Sequence, residues 1–96
     1  MSKESLKQAL ANILALMYYA SHHDFETMEH IDSLQDSLRV ISQGLEGDEH
    51  FSRRTAYLCG RVRTSGVLSI PYSKPKGTEQ IMKDCDELQR YLNNTL

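Results

Sequence analysis

Apolar residues return every three or four positions in four separate stretches, and that spacing suits amphipathic helices that bury one face against each other. The first stripe is Leu6, Leu10, Ile13, Leu14 and Met17, widened by Ala9, Ala11, Leu16 and Ala20. It predicts a well-buried helix from about residue 4 to about residue 20. The second stripe is Phe25, Met28, Ile31, Leu34, Leu38, Ile41 and Leu45. From Ile31 its intervals alternate three and four, a heptad seam of only about two heptads. So short a seam favours an antiparallel hairpin or a dimer contact over a long coiled coil. Phe51, Thr55, Leu58, Cys59 and Val62 mark a third helix, with Gly60 inside it at a cost of roughly 1 kcal/mol relative to alanine. Ile81, Cys85, Leu88 and Leu92 mark the last, flanked by Met82 and Tyr91.

The residues between the stripes supply the breaks. Ser21-His22-His23-Asp24 separates the first two helices, with Ser21 or Asp24 able to cap the second. Gly44 offers a left-handed stop, after which Leu45 folds back towards Val40. Asp48 caps the third helix and Ser65-Gly66 ends it. Val67-Leu68-Ser69-Ile70 is β-branched and alternating, and Pro71 pushes the residue before it away from helix. It reads as a short extended segment. Residues 73–77 read as a loop, and Thr78 as the cap of the last helix, with Glu79 in its first turn. The expected fold is all-α: one domain over residues 1–96, a small bundle of about four helices with an N-terminal antiparallel hairpin and an extended segment before the last helix. A chain of 96 residues has a thin margin of stability, and such domains often pair with themselves or with a partner.

Charge is the most informative pattern beyond the stripes. Residues 1–50 carry nine acidic side chains and three basic ones, whereas residues 51–78 carry six basic side chains and no acid. Those six are Arg53, Arg54, Arg61, Arg63, Lys74 and Lys76. The chain is nearly neutral, at minus two, yet its charge is segregated along its length. Arg54 and Arg61 are seven apart and share a helix face, and a guanidinium fork suits carboxylate or phosphate. Lys74 and Lys76 precede a helix N-terminus, where free amides favour an anion. Tyr72, in a loop flanked by lysine, reads either as an interface anchor or as a ring that packs its face on the bundle and keeps its hydroxyl wet. An internal role weighs equally: the basic segment packed beside the acidic second helix.

Catalytic patterns are missing. Ser65-Gly66 lacks the nucleophile-elbow glycines, and Lys76-Gly77-Thr78 lacks the upstream glycine of a phosphate loop. His22, Glu26 and His30 recur every four residues and could ligate a metal from one helix face, but Glu-x-x-His pairs and His-Glu-x-x-His are absent, and a solvated polar face is the favoured reading. Cys59 and Cys85 fall on apolar faces and read as reduced core thiols, with one interhelical disulfide as the alternative. No secretory signal pattern opens the chain, and its longest apolar run is too short to span a bilayer. A cytoplasmic protein with no cofactor and no membrane partner is expected. The expected function is non-enzymatic: a regulator, adaptor or inhibitor that occupies the surface of a partner protein bearing acidic groups, or that pairs with a second copy. Nucleic-acid or nucleotide phosphate binding through residues 51–78 is the alternative, and salt would weaken it strongly.

Overall fold

A computed structural model describes residues 2–23, 28–68 and 76–95. Four helices follow in order: α1 (Lys3–His22), α2 (Met28–Ser42), α3 (Glu49–Thr64) and α4 (Thr78–Asn94). Each buries most of the described part of the stripe read from its spacing. α1 turns Leu6, Leu10, Ile13 and Met17 inward, all fully buried, and α2 contributes Leu34, Leu38 and Ile41. Phe51, Leu58 and Val62 come from α3, and Ile81, Cys85, Leu88 and Leu92 from α4. Burying a leucine, isoleucine or phenylalanine side chain contributes about 1.5–3 kcal/mol, so this shared core is the main source of stability.

The helices alternate in direction. Asn12 donates through Nδ2 to Ser37 Oγ at 2.7 Å and to Ser33 Oγ at 2.9 Å, while further along α1 the Tyr19 ring lies 4.6 Å from that of His30. As α1 descends α2 ascends, which makes the predicted antiparallel hairpin. Cys59 Sγ approaches the Leu38 carbonyl, and Gly44 lies against Ser52, so α3 runs antiparallel to α2. Tyr91 reaches Asp48 and Arg61 reaches Asp84, so α4 runs antiparallel to α3. α1 packs on α2 and α4, and α3 closes the remaining side against the same two helices.

Caps explain most of the boundaries. Ser2 accepts from the Ser5 amide at the start of α1, and Asp48 accepts from the Phe51 amide at 2.9 Å at the start of α3, as its position predicts. Gly44 has φ 72° and donates its amide to the Ile41 carbonyl, the left-handed stop expected after α2.

Several expectations are corrected. α1 runs through Ser21, whose hydroxyl donates back to the Tyr18 carbonyl rather than capping α2. Met28 is exposed, because it lies about 100° around the helix from the Leu34–Leu38–Ile41 stripe. Gly77, with φ 75°, precedes α4 and its carbonyl accepts from Ile81, so Thr78 is the first helical residue and not the cap. Val67 and Leu68 form a turn instead of starting an extended segment. Ser65 explains it: its hydroxyl donates to the Val62 carbonyl and accepts the Val67 amide, which folds the chain back and buries the Val67 side chain. Ser69 and Ile70, the rest of that segment, lie outside the described residues, as do Asp24, Phe25, Glu26, Tyr72 and Lys74.

Candidate interaction groove

The antiparallel pairing of α3 and α4 leaves a groove of about 650 Å³ on the outer side of the bundle. His50, Arg53, Arg54, Tyr57 and Arg61 line it from α3, and Asp84, Glu87, Leu88 and Tyr91 from α4. The α3 side follows from helical spacing. His50, Arg54, Tyr57 and Arg61 recur at four, three and four residues, beside the stripe that enters the core.

Each end of the groove is tied. At one end the Tyr91 hydroxyl donates to Asp48 Oδ2 at 2.6 Å, while the other oxygen of Asp48 caps α3. The Tyr91 hydroxyl and the Phe51 amide together hold the Asp48 carboxyl below its ordinary range. The same hydrogen bond from the Tyr91 side, with partial burial, pushes the phenol up. The His50 ring lies 5.1 Å from that of Tyr91. At the other end Arg61 forms an ion pair with Asp84, whose second oxygen accepts from Gln80 at 3.0 Å. The Arg61 guanidinium also stands 6.0 Å from the Tyr57 ring centre.

Five of the six predicted basic residues are described, and they separate. Arg53, Arg54 and Arg61 share the groove. Arg61 is neutralised from α4, not by the acidic second helix. Among the described residues Arg53 and Arg54 form no ion pair. Arg63 lies on the other flank of α3, where its charge partly offsets the rise that burial gives the Cys59 thiol. Lys76 is exposed at the α3–α4 junction, its amide donating to the Ser65 carbonyl at 2.8 Å, and does not line the groove. Sequence spacing singled out Arg54 and Arg61 but passed over their companions. Tyr57 lies between them on the same face, and 66% of it is exposed. Glu87, exposed on α4, carries no ion pair among the described residues.

Other candidates have been given structural roles. Cys59 and Cys85 are buried free thiols, and burial with the Asp84 charge pushes Cys85 up to about 12. A thiol held protonated at neutral pH is a poor nucleophile. His22 Nδ1 lies 2.9 Å from the Tyr18 carbonyl and its ring 4.5 Å from that of Tyr18. Glu26, the middle member of the proposed metal triad, is outside the described residues; among those described no cluster of three or more His, Cys, Asp or Glu is arranged to hold a metal ion. Among the described residues no helix is long and apolar enough to cross a membrane. No protein family matches the sequence, and no curated protein or solved structure is similar to it.

Proposed function

We propose that this protein is a non-enzymatic interaction module that works as a regulator, adaptor or inhibitor by holding an acidic segment of a partner protein in the α3–α4 groove. One observation carries the reading. Two adjacent guanidiniums, Arg53 and Arg54, stand without an ion pair among the described residues beside an exposed Tyr57 and the edge of Leu88. Arginine and tyrosine are among the residues that most often dominate interfaces, since each offers large contact area with a polar end. The groove is about eleven residues long on α3, or roughly 16 Å at a helical rise, which suits about three turns of an amphipathic helix. Its acidic residues would meet Arg53 and Arg54, and its apolar residues Tyr57 and Leu88. Two free buried thiols suit a reducing, cytoplasmic setting.

A labelled amphipathic peptide with leucines on one face and glutamates on the other tests this by fluorescence anisotropy. Binding that weakens roughly tenfold or more in Arg53→Ala/Arg54→Ala is expected, with a clear decline as salt rises. Absence of peptide binding, or equal binding by the variant, overturns the reading. Tighter binding of a nucleotide or an oligonucleotide than of the peptide would instead favour the phosphate alternative. Two guanidiniums unpaired among the described residues give a phosphate chain few contacts, and salt would erase much of that affinity, whereas a peptide also gains from Tyr57 and Leu88.

A further inference from the structure

We infer that the α3–α4 face pairs with the same face of a second copy, setting Arg54 of each chain against Glu87 of the other across a two-fold axis parallel to the helices. This inference rests on reading the groove as a docking site for an acidic helix, and adds that the chain carries such a helix itself. α4 holds Glu79, Asp84, Asp86 and Glu87 against Lys83 and Arg90. Its stripe of Ile81, Cys85, Leu88 and Leu92 is used in the core, while Glu87 is exposed at the groove.

The geometry follows from the two ties. Asp48 is joined to Tyr91 and Arg61 to Asp84, so midway between them Arg54 stands level with Glu87 and Leu88. A two-fold axis lying in the face and parallel to the helices keeps each residue at its height and exchanges left for right. It therefore lays α3 of one copy over α4 of the other. Arg54 then arrives at the height of Glu87, and Tyr57 covers the neighbouring stretch of α4. An axis in the same face but perpendicular to the helices lays α3 over α3 and sets guanidinium against guanidinium, so charge selects the first arrangement. The patch is self-complementary because one helix supplies cations and the other a carboxylate that are unpaired among the described residues, as an isologous interface requires. Arg61 and Asp84 already neutralise each other within the chain and contribute no unpaired charge.

Sedimentation velocity over a range of protein concentrations, at low and high ionic strength, tests the pairing with exposed-residue variants that leave the core untouched. Wild-type protein should dimerise, more weakly at high salt. Arg54→Glu and Glu87→Arg should each weaken the dimer roughly tenfold or more, by setting like charges against each other. The double variant Arg54→Glu/Glu87→Arg should recover it, because each reversed charge again meets its opposite. A monomer at every concentration, a dimer indifferent to the single reversals, or a double variant that stays monomeric overturns the inference. The acidic peptide should also dissociate the dimer. Protein that binds the peptide but never dimerises overturns only the pairing; protein that does neither overturns the groove reading as well.

Discussion

Replacing Gly60 by alanine should stabilise the fold, and the structure sets the size of the effect. Gly60 lies inside α3, its φ is outside the left-handed region, and a Cβ built on it meets nothing within 4 Å. No contact, turn or close approach among the described residues calls for a glycine there. The change then reduces to helix propensity, about 0.8–1 kcal/mol, part of it arising from the smaller conformational freedom of the unfolded chain. For a domain of this size that is a rise in melting temperature of roughly 4–8 °C. Denaturant unfolding followed by circular dichroism should show a higher midpoint with an unchanged slope, since the buried area is the same. Gly44→Ala is the matched opposite. Gly44 has φ 72°, and an added Cβ would stand 2.6 Å from Ser52 Oγ. Left-handed geometry alone disfavours alanine by roughly 1–2 kcal/mol, and the Ser52 hydroxyl must turn aside to admit the Cβ. A Gly60→Ala protein no more stable than wild type, or a Gly44→Ala protein equally stable, would refute the account of α3 as a regular helix and of Gly44 as the obligatory end of α2.

Two further predictions concern groups whose ionisation the fold shifts. Tyr91→Phe should let the Asp48 carboxyl rise towards its ordinary range in a carboxyl-detected NMR titration. The depressed Asp48 contributes stability above the usual carboxylate range that is lost as pH falls through its folded pKa; the raised Tyr91 phenol contributes below its ordinary value of 10.0 and loses that as pH rises through its folded value. Stability curves of wild type and Tyr91→Phe should therefore differ most between those limits and approach each other at both extremes. Cys85, buried and pushed up to about 12, should react with a thiol reagent at neutral pH only as fast as the protein opens; rapid labelling of both thiols in folded protein would contradict the packing.

Much of the bundle was legible because its signals are local. Leu6, Leu10, Ile13 and Met17 declare a buried helix face by spacing alone, and Asp48 and Gly44 declare a start and a stop through the chemistry of one side chain or the lack of one. The structure departs from the sequence pattern where a local signal has two readings. Val67 looked like the start of a strand because it is β-branched, but a single hydroxyl on Ser65 satisfies the backbone in a turn and makes Val67 a core plug. Thr78 looked like a cap because its hydroxyl could serve, while Gly77 already supplied the carbonyl that starts the helix.

The groove was legible only by half, and the reason lies in which partner each charge finds. Spacing puts Arg54 and Arg61 on one face of α3, but which helix that face meets depends on the order in which four helices close around the core. A count of charges along the chain favours the acidic α2 as counterpart. The structure instead lays α4 against that flank, and Asp84 takes Arg61 while Arg63 stays on the side of Cys59. Net charge per segment could not distinguish these outcomes, because α4 is only mildly acidic and a single well-placed carboxylate suffices for one arginine. What then matters is the remainder. With Arg61 paired, Arg53, Arg54 and Glu87 stand at the groove without an ion pair among the described residues, and exposed charges of this kind add little to fold stability while they would steer any partner that docks there. Neutralising Arg53 and Arg54 should therefore disturb association before it disturbs folding.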